Sequence, residues 1–218
     1  MNLTIKIVLF AISTLMVNKM FAQSNFYEES KRIFYGGLVV GGNFATIDND
    51  DFTHYAKTGA NLGGLVFARL GEHADIGIEM LFSQKGRKTN DLTQTGVPGV
   101  NFTNIYDRLN YVEVPIMINY VDKYRNHFGV GISYSRLVNY TELLDTAPYL
   151  YIPANQHPFN KEDYQLLIGS ELHVWKEFFL TLRFQFSIVP IRNGVPTNFS
   201  PQEQYNNLSV VRCMYLFP

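Results

Sequence analysis

From residue 34 onward, apolar and polar side chains alternate with a period of two. This gives an extended chain two chemically different faces, and no helix can sort the residues that way. The stretch 178–189 shows it most clearly. Phe178, Leu180, Leu182, Phe184, Phe186 and Ile188 fall on one face, and Thr181, Arg183, Gln185 and Ser187 on the other. Residues 109–121 set Val112, Val114, Ile116, Ile118 and Tyr120 against Tyr111, Glu113, Met117 and Asn119, and 75–85 set Ile76, Ile78, Met80 and Phe82 against Asp75, Glu79, Ser83 and Lys85. The same pattern predicts strands at 34–45, 59–70, 127–140, 163–175 and 207–217. These eight segments of about ten to fourteen residues are longer than the strands of soluble sheets, typically five or six residues. They suit the ~9–11 residues that a tilted strand needs to cross a bilayer.

The connections alternate in length. Short links fall at 71–74, 122–126 and 176–177, and long ones at 46–58, 87–108, 141–162 and 191–206. Strict alternation predicts an all-β fold, an eight-stranded antiparallel up-and-down transmembrane β-barrel with tight periplasmic turns and longer external loops. An even strand number places both termini in the periplasm, and closure removes the sheet edges that lipid cannot satisfy.

The first residues read differently. Lys6 followed by the apolar run 7–17, with Phe21, Ala22 and Gln23 as a cleavage region, predicts a signal peptide at 1–23. A periplasmic N-terminal segment at 24–33 and the barrel at 34–218 follow. The apolar run is shorter than the ~20 residues of a membrane-spanning helix.

Composition narrows the class. Only 17% of the 218 residues are charged, with a net charge of −1, while 14 Tyr and 17 Phe raise the aromatic share to 15%. So apolar a chain is not disordered, and with no basic stripe nothing points to nucleic acid. Cys213 is the single cysteine, which excludes an internal disulfide and a Cys-based zinc site. It is expected to face lipid on the last strand.

A soluble eight-stranded carrier barrel meets the same strand count but points its apolar face inward. Here the charges on the inner face balance by sign, Arg69, Lys85, Arg183 and Arg212 against Asp75, Glu79, Glu113 and Glu171. That balance suits a water-poor lumen, where an unpaired charge is costly. Long inward side chains fill an eight-stranded interior, so no open pore is expected. Phe34, Tyr35, Tyr120, Tyr140, Tyr164, Phe178, Tyr215 and Phe217 lie near strand ends, where interfacial aromatic girdles form.

The strand Tyr111-Val112-Glu113-Val114-Pro115-Ile116-Met117-Ile118-Asn119-Tyr120 resembles the "YxEhP" strand, with h apolar, of the PorT-like outer-membrane barrels. The glycine-rich opening 36–44 and the aromatic ending are similar to the same family. The resemblance implies an outer-membrane barrel with a role in protein secretion to the cell surface of the type IX kind, and with it gliding motility. Secretion or envelope proteins would be the partners, alongside outer-membrane lipid and lipopolysaccharide. The alternative is a structural or adhesive small barrel independent of secretion. On this strand Glu113 is expected to pair with Arg69 or Arg183 in the lumen. Pro115 withdraws a ladder donor and is expected to mark a bulge.

Candidate chemistry is sparse. His73 and His127 are placed at periplasmic turns and His54 and His157 in external loops, all as solvated side chains, while His173 is expected in the lumen near Glu171. No serine is placed to complete a nucleophile, base and acid set, so the chain reads as non-enzymatic. Asp48, Asn49, Asp50 and Asp51 offer oxygens to a divalent ion but lack the spacing of a calcium loop, and a solvated loop tip is the plainer reading. No metal, cofactor or phosphate-loop motif is present. The loop 141–162 is unusually apolar. Tyr149, Tyr151 and Phe159 in it read either as anchors for a protein partner or as a lid over the barrel mouth.

Overall fold

A computed structural model describes residues 33–48, 57–89, 93–94, 101–147, 158–195 and 202–218. Eight long strands form the wall: β1 Phe34–Asp48, β2 Lys57–Arg69, β3 Ala74–Thr89, β4 Asn101–Val121, β5 His127–Ala147, β6 Glu162–Trp175, β7 Phe178–Ser187 and β8 Gln202–Leu216. Each pairs antiparallel with the next, and β8 returns to β1 along a ladder from Gly37 opposite Leu216 to Asp48 opposite Tyr205, so the sheet closes. Two short strands, Thr93–Gln94 and Arg192–Val195, add to β4 and β8 beyond the ring. The segments 1–23 and 24–33, read as signal and periplasmic leader, lie outside the described residues except for Ile33, whose carbonyl accepts from Arg69 N at 2.8 Å.

The short links are held by local chemistry. Leu70 N donates to Ala74 O at 2.9 Å at the β2–β3 turn. In the β4–β5 turn the Asp122 carboxylate accepts from the backbone N–H groups of Tyr124 and Asn126 at 2.7 and 2.8 Å, an Asx-type turn that lets Arg125 sit at φ 65°. Lys176 takes φ 50° in the two-residue link between β6 and β7.

Period-two alternation sorts the wall as expected. Leu38, Val40, Met80, Ile118, Val130, Ile168 and Phe184 point outward and are exposed, while Asn43, Asn61, Glu79, Glu113, Gln165, Arg183 and Arg212 point inward and are buried. On β4 the outward apolar run extends from Val112 to Tyr120, matching the ~9–11 residues of a tilted crossing. Above Val112 the sense reverses. Asn110 and Arg108 face outward, whereas Leu109 and Ile105 are buried inside. A band apolar outside and polar inside, with Asn110 and Arg108 outward above it on β4, separates a lipid-facing belt from a water-facing extension.

That extension corrects the expected loops. β3 runs on to Thr89, β4 starts at Asn101, and β4 and β5 each reach 21 residues, so much of 87–108 and the start of 141–162 is sheet. β1 likewise continues to Asp48, and β8 begins at Gln202. The physical reason is the lost membrane sense: on β4 Asn110 and Arg108 lie outside and Leu109 and Ile105 inside, while on β5 the register shift opposite Asn110 and Tyr111 breaks the alternation.

Two backbone details shape the wall. Gly86 lies at φ 126°, a conformation reserved for glycine, where β3 leaves the belt. Pro115 makes no bulge. The β3–β4 ladder pairs Ile78 with Ile116 and Leu81 with Glu113 in one register and skips the residues between. The missing proline N–H costs a ladder bond without adding a residue. Register shifts on β4 come instead in its ladder with β5, between Phe102 and Asn104 and where Asn110 opposes Asn139 and Tyr111 opposes Leu137.

Candidate functional site: the filled lumen and the external rim

The lumen is filled in layers. Near the short turns, Phe67, Phe179, Met214 and Leu216 pack with Val39, Leu65 and Leu81 into an apolar floor. Room for Phe67 comes from Gly77 on β3, where an added Cβ would lie 2.8 Å from its ring. Tyr35 turns inward here, its Oη donating to Asp75 Oδ2 at 2.8 Å, and so is not part of the outer girdle.

Set into that floor is His127, and this corrects its expected solvated position. It is 3% exposed, its ring 5.0 Å from Phe67 and 5.8 Å from Phe179. Its Nδ1 sits 3.1 Å from Asp75 Oδ2 and 3.5 Å from Glu171 Oε2. Parity decides this, because His127 shares a face with Ser133 and Ser135, and that face is the lumen. His173 lies lower and half-buried. Its Nε2 donates to Lys176 O at 2.7 Å and its ring packs on Phe179.

Above the floor, Glu79 is the centre of an ionic layer. Arg183 donates to both its oxygens at 3.0 and 2.7 Å, and Arg212 donates to Oε1 at 2.7 Å. Arg183 also lies 3.6 Å from Glu171, and Arg212 reaches Asn61 Oδ1 at 3.2 Å. A second ionic layer surrounds Lys85, which donates to Gln165 Oε1 at 2.7 Å and Ser135 Oγ at 3.1 Å, with Glu113 at 3.2 Å and Asp163 at 3.4 Å. Gln185 donates to Glu113 at 3.0 Å, while Ser187 and Asn206 hold Asp163 at 2.6 and 2.9 Å. Buried charges at this density persist because each finds opposite charge or a polar partner.

Seven of the eight expected lumen charges are therefore inside: Asp75, Glu79, Lys85, Glu113, Glu171, Arg183 and Arg212. Arg69 is not. It is exposed at the end of β2, its guanidinium over the Tyr35 ring. Glu113 consequently pairs with Lys85 rather than Arg69 or Arg183, because the register puts Arg69 opposite Asp75 at the rim and Arg183 is engaged by Glu79 and Glu171. The structure adds Asp163, His127, Gln165 and Gln185 to the network. Their inward parity on β5, β6 and β7 was the signal available in the sequence.

The upper mouth is closed by Ile47, Leu109, Tyr111, Leu137, Ile191 and Phe159. Phe159 is 6% exposed, with Tyr140 5.3 Å away and the Arg192 guanidinium 4.5 Å above its ring. It is thus part of the lid and not an exposed anchor, and Tyr140 belongs to the same packing instead of the outer girdle. Tyr149 and Tyr151, and the acidic tip at 49–51, lie outside the described residues. On the rim Arg192 forms a two-pronged pair with Glu142 at 2.6 and 3.2 Å, and Arg87 pairs with Asp107 at 2.6 Å. At the opposite end Trp175, Phe178, Tyr215 and Phe217 form a continuous row of outward rings, with successive centroids 5.0–6.2 Å apart. Among the described residues, no group of three or more metal-ligating side chains comes together.

An inward polar lumen, an outward apolar belt and a closed antiparallel ring define a small transmembrane barrel of the outer-membrane type. No protein-family model and no curated protein matches the sequence. Among solved structures, Ail, the attachment invasion locus protein of Yersinia pestis, aligns with a TM-score of 0.43 at 10% identity over 85% of this chain and 100% of its own. Neisserial surface protein A aligns with 0.42 at 10% identity over 85% and 98%. The outer membrane protein OprG from Pseudomonas aeruginosa aligns with 0.39 at 10% identity over 84% and 94%.

Proposed function

We propose that this chain is a non-enzymatic outer-membrane barrel that supports the envelope or attaches the cell through its external face, and that it is not a conduit. The observation that carries this reading is the filling of the lumen at floor, ionic layers and mouth, combined with the sheet extension of β3, β4 and β5 beyond the belt. A plugged barrel has nothing to pass, while a stiff wall raised above the bilayer offers surface to whatever lies outside. The secretion role implied by the PorT-like strand finds no separate support in the lumen or rim.

Deletion of the gene in its own host tests the choice. Altered envelope integrity or adhesion, with the normal set of exported proteins in medium and on the surface, is expected. Loss of a whole class of exported proteins, restored by the intact gene, would return the function to secretion.

A further inference from the structure

Where β3 and β4 leave the apolar belt, two cations converge on one phenol and a third stands beside it across the ladder. Lys57 Nζ donates to Tyr106 Oη at 3.0 Å, and Arg108 donates to the same oxygen through Nε at 3.1 Å and Nη2 at 2.8 Å. Lys88 is the cross-strand partner of Tyr106. A phenol oxygen has two lone pairs, so three N–H groups exceed what it can accept.

None of these three cations meets a carboxylate among the described residues, although the neighbouring rim cations do: Arg87 with Asp107, Arg192 with Glu142, Arg136 with Glu162. Lys57 is the sharpest case. It is 4% exposed, and among the described residues Tyr106 Oη is its one hydrogen-bond acceptor, whereas an ammonium carries three donors. The hydrogen bond from Lys57, followed by that from Arg108, holds the Tyr106 phenol below its usual pKa. Among the described residues, this corner of the rim is short of negative charge and of acceptors.

Its height identifies what supplies them. Gln84 and Asn110, joined at 2.9 Å, are the first polar outward residues above Phe82 and Val112, and Arg108 is the next outward position on β4. Groups one strand pleat above the hydrocarbon face lipid headgroups, and cations there attract anionic ones. We propose that Lys57 and Arg108 on Tyr106, with Lys88 opposite it in the ladder, form a binding site for the phosphate groups of outer-leaflet glycolipid headgroups. Arg108 offers a planar fork for phosphate oxygens, and Lys57 and Lys88 act as point charges beside it.

The site rests on the reading that these strand ends face outside. The test uses the full chain folded in detergent micelles and offered either a bis-phosphorylated lipid A or its dephosphorylated form, with bound glycolipid counted by native mass spectrometry. The wild-type barrel should retain the phosphorylated lipid at least fivefold better, and added salt should reduce the difference. Combined Lys88→Gln and Arg108→Gln, both at exposed positions, should bring the ratio to within twofold of one. Lys123→Gln, in a short turn at the other end, should leave it unchanged, and Arg108→Lys should recover part of it. Equal retention of both lipids by the wild type, or an unchanged ratio in the double variant, overturns the site. Failure of the wild-type chain to insert into lipid vesicles would instead overturn the membrane reading beneath it, so the two failures are distinguishable.

Discussion

Glu79 accepts two hydrogen bonds from Arg183 and one from Arg212, and all three groups are buried. Glu79→Gln leaves two guanidinium groups facing a neutral amide, and removing one partner of a buried ionic set costs on the order of 3–5 kcal/mol. The urea midpoint of the folded band on unheated gels should fall accordingly, whereas Arg136→Gln at the exposed Glu162 pair should move it by less than about 1 kcal/mol. Gly77→Val probes the floor in another way, because its side chain meets the Phe67 ring. Overpacking of this kind costs about 1–3 kcal/mol, and Phe67→Leu in the same chain should recover part of the loss. Tyr106 makes a spectroscopic prediction. Its phenol ionises at lower pH than an ordinary tyrosine, led by the Lys57 hydrogen bond. An early phase of phenolate absorbance on raising the pH should therefore vanish in Tyr106→Phe and shift upward in Lys57→Gln.

At the scale of the strand, alternation on β8 places Arg212 in the lumen and Cys213 outside, side by side along the chain. Cys213 in lipid vesicles should react slowly with a charged, membrane-impermeant maleimide and quickly after denaturation. Rapid labelling of the folded barrel would mean that β8 is turned the other way. Such facing was legible in the sequence, since Phe178 to Ile188 or Val112 to Tyr120 need only a period of two. Which charges meet was not. Glu113 reaches Lys85, and Asp163 reaches Lys85 from three strands away, because the stagger of strands around a closed sheet sets the height of each residue. No local pattern encodes that stagger. His127 was misplaced for a simpler reason. Its position beside a turn outweighed its inward parity, and the parity was the better guide. The upper half of β4 is not legible because Leu109 and Ile105 are apolar on the inner side, opposite to the sense of the belt, and that of β5 is not because the extra residue Val138 breaks the alternation and leaves the Glu142 side chain buried and Leu143 exposed.

For the molecule as a whole, the floor, the ionic layers and the mouth make three successive closures within one narrow barrel. In planar bilayers the protein should insert without steady conductance steps. Removing the mouth packing alone, by Phe159→Ala with Ile191→Ala, should still give none, since the Glu79 and Lys85 layers remain below it. Sustained openings from the wild type would contradict the filled lumen. The residues that carry the resemblance to PorT-like barrels face inward. Tyr111, Glu113 and Pro115 serve the interior, as a wall of the mouth, a partner of Lys85 and a break in one ladder, so that motif describes how this barrel is packed and is silent on what meets it outside.

The reversal of polarity between Val112 and Asn110 has a mechanical result. A strand that changes sense at a fixed residue carries its own waterline. Sinking the wall by one pleat would drag Asn110 and the cations above it into hydrocarbon, and lifting it would bare Val112 and Phe82 to water. The wall cannot shift at this point as a single helix does by tilting, because Phe82 and Gln84 on β3 change sense beside Val112 and Asn110 on β4 and the closed ladder ties those strands to the rest. Where the bilayer is thicker than the belt, the lipid must yield, at a cost of fractions of a kcal/mol per Å. On this side of the ring the residue at which polarity changes thus fixes how deep the barrel sits.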